Sequence, residues 1–513
     1  MASDQKWMRK FVLVLLLLSF PYAHCGNGSI TSTIQSECLK VPNSQFAGSI
    51  VNTIDIMQEV VSILSDVARG LGNFRDSNAI DDCLDLMDIS NDELRWTLSA
   101  TQNQNGKHNS TGNLSSDLRT WLSATLVNQD TCRDGFEGSN SIVKELVSGS
   151  LSQITSLVLE LLGQVHPVSD QHESNGQTPA WFKSEDRKLL QANGVPVDVV
   201  VAQDGTGNFT NITAAILSAP DYSMRRYVIY VKKGLYKEYV EIKKKKWNIM
   251  MVGDGMDATV ISGNRNFVDG WTTFRSATFA VSGRGFIARD ITFENTAGPE
   301  KHMAVALRSD SDLSVFYRCE FRGYQDTLYT HSMRQFYRDC KISGTVDFIF
   351  GDGTVMFQNC QILPRKALHN QKNSITAHGR KYKDEPTGFS FQFCNISAHP
   401  DLLATPVNSS TPTYLGRPWK QYSRTIIMQS FMSNIIKPAG WLEWNGDMFL
   451  DSLYYGEYMN YGPGAGLGSR VTWPGYQKFN QSGQAKNYTV ADFIEGNLWL
   501  PSTGVKYTAG FGV

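Results

Sequence analysis

Phe316-Tyr317-Arg318-Cys319-Glu320-Phe321, Phe336-Tyr337-Arg338-Asp339-Cys340-Lys341-Ile342, Phe357-Gln358-Asn359-Cys360-Gln361-Ile362 and Phe391-Gln392-Phe393-Cys394-Asn395-Ile396 are four versions of one phrase. Their cysteines lie 21, 20 and 34 residues apart. A period near twenty residues with one short strand per unit points to a parallel β-helix or solenoid, because such a unit buries its apolar face only by stacking on its neighbours. An insertion rich in Lys, Asp, Pro and Gly, residues 380–388, lengthens the third interval. Equivalent positions on successive coils stack at the strand spacing of ~4.8 Å. Disulfides accept Cα separations of ~4.4–6.8 Å, so neighbouring coils can be stapled. The spacing therefore predicts Cys319–Cys340 and Cys360–Cys394. A β-sandwich is the competing fold.

The same texture of short β-rich runs broken by Gly, Asn and Asp extends from about residue 193 to the C-terminus, as in Tyr227–Val231, Thr278–Val281 and Phe389–Phe393. Upstream the period changes. Ile50, Ile54, Met57, Val61, Leu64 and Val67 recur at three- and four-residue steps. So do Leu118, Leu122, Thr125 and Leu126, and Ile142, Leu146, Leu151, Ile154, Val158 and Leu161. These are the stripes of amphipathic helices packed in a bundle. The polar stretch 102–116 reads as an interhelical loop. Residues 166–177 turn polar and read as a linker. The dibasic sequence Arg187-Lys188-Leu189-Leu190 follows, where fold type changes, and is read as a processing site with a solvated charge run as the alternative.

A chain of 513 residues is long enough for two or more domains. With 41% hydrophobic residues it has the material for real cores, which excludes a mainly disordered protein. A net charge of -1 argues against nucleic-acid and membrane-surface partners. That balance hides a split: residues 1–190 carry 14 Lys and Arg against 22 Asp and Glu, residues 191–513 carry 34 against 27. Either the two parts bind each other or the basic part binds a polyanion.

Lys6, Arg9 and Lys10 precede the apolar run Phe11 to Phe20, which is too short for a membrane span of ~20 residues and reads as a secretory signal. A signal anchor is the alternative, and no other stretch is read as crossing a bilayer. The boundaries that follow are signal 1–25, helical domain 26–170, linker 171–192 and β domain 193–513. Eight cysteines and nine N-x-S/T sequons suit an oxidising, secretory route. No CxxC or His-rich cluster suggests a metal.

Two carboxylates stand out. Asp326 lies in Gly-Tyr-Gln-Asp-Thr-Leu-Tyr, and Asp347 in Gly-Thr-Val-Asp-Phe-Ile-Phe-Gly. They are 21 residues apart, one coil of the proposed helix. On adjacent coils they would not both ionise cheaply, so one becomes a protonated acid and the other an ionised nucleophile or base. A ladder of structural Asp residues capping turns is the alternative. Gln325 brings an amide donor beside Asp326. Gly416-Arg417-Pro418-Trp419 offers a guanidinium for a carboxylate and an indole for a sugar ring. A structural Arg–Asp pair beside a half-buried Trp is the bland reading of that turn.

At these residues the sequence resembles the plant pectin methylesterases. GYQDTLY, GTVDFIFG and LGRPW, with VAQDGTGNFTNITAAI, WNIMMVGDG and RSATFAV, carry the likeness across 193–513. DDCLDLMDIS and TWLSATLVNQDTCRDGF resemble the inhibitor domain that precedes the esterase in long-form members. The resemblance implies a right-handed parallel β-helix behind a four-helix bundle. It implies a secreted cell-wall enzyme that hydrolyses the methyl esters of pectin, with no cofactor and no metal. By the family's motifs Asp347 is the nucleophile, Asp326 the acid and base, and Gln325 the oxyanion donor. Arg417, Trp419 and Thr273 become substrate-site residues, with Tyr324 and Trp444 as further subsite candidates. The resemblance also implies Cys83–Cys132, and subtilase-type processing at Arg187-Lys188-Leu189-Leu190. The partners it implies are pectin, the chain's own helical domain or separate inhibitor proteins, and the processing protease.

Three departures matter. The family reads KHQAVALR where this chain has Lys301-His302-Met303-Ala304-Val305-Ala306-Leu307-Arg308. Met303 cannot donate the hydrogen bond that the family's Gln gives. His378 stands where the family often has Gln. Phe46 stands near the place of a second inhibitor-domain cysteine, which leaves Cys38 without its usual mate. A lyase or glycosidase on the same scaffold, and a pectin-binding protein with little activity, are the competing functions.

Overall fold

Four helices open the described chain: α1 (Ser44–Ala68), α2 (Phe74–Gln102), α3 (Leu114–Asp134) and α4 (Ile142–Gln164). This computed structural model describes residues 44–69, 73–102, 110–137, 142–167, 196–404 and 411–512. The signal segment, Cys25, Cys38 and the sequence 187–190 lie outside the described residues. The stripes read from the sequence are the buried faces. Ile50, Ile54, Met57 and Leu64 of α1 pack with Leu118, Leu122 and Leu126 of α3 and with Leu151, Ile154, Val158 and Leu161 of α4. Val60 and Val147 are buried where the stripe had named Val61 and Leu146. Phe46 is buried in the same core, so an apolar ring fills that place. The segment 143–164 of α4 is long and apolar enough to cross a membrane by length and composition, which the sequence reading passed over. Its buried residues belong to the bundle core.

Asn113 caps α3 by accepting from the Ser116 N–H, one of the donors a helix start leaves open. Its amide donates to Glu495, so this sequon is engaged in structure. Cys83 of α2 and Cys132 of α3 are disulfide-bonded, as the resemblance implied.

From Val199 onward the chain winds through three parallel sheets of eleven, seven and eight strands, each coil laying one strand on each sheet in turn. The four phrases are one stack. Phe316 pairs with Tyr337, Tyr337 with Phe357 and Phe357 with Phe391. Their rings lie 4.7, 4.9 and 4.5 Å apart in stacked geometry. The corner after each of these strands is a residue with positive φ: Arg318, Asp339, Asn359 and Phe393. That left-handed step turns the chain onto the next sheet within two residues, at a cost that the stacking around it offsets.

The cysteines depart from expectation. Cys319, Cys340, Cys360 and Cys394 sit in one interior stack as four free, buried thiols. Cys340 Sγ donates to Phe316 O at 3.3 Å, and Cys360 and Cys394 bond the carbonyls of Tyr337 and Phe357. In-register parallel strands aim equivalent side chains the same way, so the sulfurs lie side by side. A disulfide needs Cβ atoms converging to ~3.8 Å. Spacing alone met the Cα criterion and missed the direction of the side chains.

Candidate active site

The seven-stranded sheet carries β1 (Leu307–Ser309), β2 (Leu328–Tyr329), β3 (Ile349–Gly351), β4 (Asn373–His378) and β5 (Thr413–Gly416), hydrogen-bonded in that order. Leu328 pairs with Ile349. Asp326 and Asp347 each stand two residues upstream of that pair, so they hold equivalent places on adjacent coils. The Asp326 N–H donates to Val346 O at 3.1 Å, closing the two corners together. Both aspartates have positive φ, 62° and 51°, where Asp is tolerated better than most residues.

The two carboxyls have different surroundings. Asp347 receives both arms of Arg417: Nε to Oδ1 at 2.8 Å and Nη2 to Oδ2 at 2.6 Å. Such a fork fixes the position and aim of a carboxyl group. The Asp326 carboxyl has no hydrogen-bond partner among the described residues. Burial, then the neighbouring Asp347 charge, hold it well above the usual carboxylate range, against a smaller pull from Arg417. Two neighbouring carboxyls, one gripped by a guanidinium and the other buried with its pKa raised, have the unlike surroundings that suit a nucleophile and a general acid.

Arg417 is itself positioned. Its N–H donates to Thr376 O on β4, and its guanidinium lies over the Trp444 ring at 4.3 Å. Trp419 meets the Phe350 ring edge-on at 6.0 Å, and Phe350 stacks on Tyr329 at 4.2 Å. A Cβ at Gly379 would come 2.9 Å from the Trp419 ring, so that indole needs glycine beneath it. Tyr329 and Phe350 complete an aromatic face that the sequence reading missed. The signal was there: each lies three residues after its aspartate, on the outward side of its strand.

Gln325 and Met303 sit on neighbouring coils, since Ala304 N–H donates to Gln325 O. Neither side chain is fully buried. Tyr324 is held by Arg365, whose Nη2 donates to its hydroxyl at 3.0 Å. Thr273 starts the short turn Phe274–Ser276. His378 is wholly buried, and its Nδ1 accepts the Arg380 and Arg424 N–H groups. Burial keeps its ring well below the usual histidine range, so it serves as a neutral acceptor.

The helices lie against this face. Tyr329, Phe350, Ala377 and Phe274 share one apolar cluster with Leu86, Trp121 and Leu122, and Trp419 and Trp444 pack against it. Charges close the edges. Asp82 and Asp85 of α2 hold Arg275 at 2.6 and 2.8 Å, and Asp82 also accepts from Thr272, on either side of Thr273. Asp134 holds Lys420, next to Trp419, at 2.8 Å. Asp130 meets Lys381, and Asp88 and Asp92 meet Lys244. Asp117 meets the buried Arg334 at 2.7 Å. The acidic and basic halves of the sequence are thus two sides of one contact. Among the described residues no group of His, Cys, Asp and Glu is arranged to hold a metal ion.

Residues 198–497 match the family model described as Pectinesterase, and 32–161 the one described as Plant invertase/pectin methylesterase inhibitor. The pectinesterase/pectinesterase inhibitor PPE8B of Prunus persica is 74% identical over 511 residues, spanning 98% of this chain and 97% of that protein. The probable pectinesterase/pectinesterase inhibitor 32 of Arabidopsis thaliana is 60% identical over 98% of this chain and 97% of its own. Among solved structures, the pectin methylesterase from carrot superposes with a TM-score of 0.61 at 51% identity, covering 62% of this chain and 99% of that one.

Proposed function

Because the chain belongs to the pectinesterase family and carries inhibitor-type helices ahead of the esterase part, we propose that it is a secreted cell-wall proenzyme. In this reading Asp347 is the nucleophile, Asp326 the acid and base, and Gln325 the oxyanion donor. The observation that carries it is the contrast between two adjacent carboxyls: Asp347 gripped by Arg417, and Asp326 buried without a partner.

The Asp347 carboxylate attacks the carbonyl carbon of a galacturonate methyl ester. The Gln325 amide donates to the oxyanion that develops. Collapse breaks the bond to the methoxy oxygen, which takes the Asp326 proton and leaves as methanol. Asp326, now ionised, removes a proton from water, and the resulting hydroxide attacks the acyl carbon of the Asp347 anhydride. Asp347 leaves as carboxylate and the product is a free uronic acid. Arg417 keeps Asp347 aimed throughout. Trp419, with Thr273 at the other wall, packs the sugar chain.

The helices close this route. α2 holds the turn around Thr273, and α3 holds Lys420 beside Trp419. Processing at Arg187-Lys188-Leu189-Leu190 by a subtilase-type protease would free the groove. A second reading follows from Met303, which supplies no amide: a wall protein that binds pectin and turns it over slowly.

Methanol release from highly methylated pectin by residues 191–513, by Asp347→Ala and by the full chain tests this. The esterase reading expects release by the fragment, none by Asp347→Ala, and slower release by the full chain. Undiminished release by Asp347→Ala would remove Asp347 from its role. Pectin binding without methanol would favour the second reading.

A further inference from the structure

A cavity of about 240 Å³ opens between the C-terminal end of α4 and the loop 380–386. Arg119 of α3, Arg380 and Arg424 all line it. Elsewhere along this contact, basic groups of the β-helix meet aspartates of the helices. Here cations from both halves face each other instead. Each guanidinium is held by backbone carbonyls. Arg119 donates to Val165 O at 2.9 Å and to Asp384 O at 2.6 Å. Arg380 donates to Glu385 O at 2.9 Å and to Tyr422 O and Lys383 O. Arg424 donates to Pro386 O at 3.2 Å, while its Nε is buried and has no hydrogen-bond partner.

The acids around this cluster offset its charge only in part. The Glu385 carboxylate side is occupied by the Lys381 and Tyr382 N–H groups. Burial and the neighbouring Asp352 hold Glu385 well above the usual range. Asp384 is exposed and lies near Arg119. Burial and then Arg424 lower Arg380 to about 10, against smaller opposing pulls from Glu385 and Asp352. Guanidinium forks bind carboxylate and phosphate oxygens in pairs.

We infer that this cavity is a binding site for a single small oxyanion, held between Arg119 of the helices and Arg424 of the β-helix, with Arg380 supplying charge behind them. The oxyanion is either the carboxylate of a uronic acid or a free inorganic phosphate. A ligand touching both halves stabilises their docking by mass action. The inference does not depend on the assignment of the catalytic aspartates, because its test reads binding and not ester hydrolysis.

The test is calorimetric titration of the full chain with galacturonate, with inorganic phosphate and with the neutral methyl ester of galacturonate, alongside thermal unfolding at the same concentrations. Saturable binding of an anion, a melting temperature that rises with its concentration, and no binding of the methyl ester are expected. Galacturonate binding the tighter assigns the site to the demethylated polymer, and phosphate binding the tighter assigns it to a free ion. Arg424→Gln should raise the Kd at least about tenfold, roughly one bidentate contact. Arg119→Gln, on the other half, should do the same and covers the case in which Arg424→Gln does not fold. Lys237→Gln, an exposed site with the same charge change, should leave the Kd unchanged. No saturable binding of either anion up to about 50 mM, equal binding of the methyl ester, or an equal loss in Lys237→Gln would overturn the inference.

Discussion

Arg417 grips both oxygens of Asp347, at 2.8 and 2.6 Å, while Asp326 on the adjacent coil is left buried and unbonded. Two chemically identical side chains thereby stand in unlike surroundings. Asp347→Asn should abolish methanol release. Asp326→Asn should lower kcat by about 10²–10⁴, the range of a general acid–base group. Arg417→Lys keeps the charge and loses the fork, so kcat should fall by about tenfold or more with little change in KM. Steady-state kinetics on residues 191–513 would check all three, and a KM-only effect in Arg417→Lys would refute the orienting role.

Met303 lies one coil before the Gln325 corner and brings a thioether where an amide is expected. One oxyanion donor is worth about 10²–10³ in kcat elsewhere. Met303→Gln should therefore raise kcat for methanol release by at least about tenfold, and an unchanged kcat would refute the missing-donor reading of Met303.

Glu93 of α2 is wholly buried, accepting from Thr125 at 3.0 Å and Asn128 at 3.1 Å with no cation beside it. Burial, chiefly, pushes it up to about 8 from 4.5. An acid whose folded pKa is raised stabilises fully below the unfolded value and loses that contribution as pH rises through the folded one. The helical half should weaken between about pH 4.5 and 8, by up to about 1.4 kcal/mol per unit for this one proton. Glu93→Gln should flatten the slope. Urea unfolding across that pH range decides it, and a slope identical in Glu93→Gln would assign the effect elsewhere.

Arg334 is buried between Asp312, bonded at 2.7 and 3.0 Å, and Asp117 of α3, at 2.7 Å. Arg334→Gln leaves the Asp312 and Asp117 carboxylates in the interior with their hydrogen-bonded cation gone and only Arg284 nearby. Breaking such a group costs about 3–5 kcal/mol. Chemical denaturation should show a loss of that size, and Arg334→Lys should recover only part of it.

The four interior thiols give a chemical test of the coil stack. Burial pushes Cys319 up to about 12, so it is inert in the folded state. Alkylation without reductant should spare all four cysteines in the native protein and modify all four after denaturation. Peptide mapping that finds Cys319–Cys340 or Cys360–Cys394 linked would restore the pairing that spacing suggested.

How much was legible in the sequence follows from what periodicity encodes. Phrase spacings of 21, 20 and 34 residues became the observed register, because a parallel stack admits only one pairing that keeps each apolar residue inside. The same spacing set Asp326 beside Asp347, since a coil's length fixes which corners are neighbours. Helix stripes named most of the core positions of α1, α3 and α4, whereas the buried face of α2 was not read from its sequence. Spacing could not say which way a side chain points, so it stapled cysteines that in fact run parallel. Nor could it say which carboxyl is held by a cation. That is decided by Arg417, 70 residues beyond Asp347 and brought there only by later coils. The covering of the site by α2 and α3, and the meeting of Arg119 with Arg424, also belong to the tertiary structure alone. Local pattern determines what each segment buries against itself, but contacts between segments far apart in the chain depend on the folded surfaces, where charge and shape are finally matched.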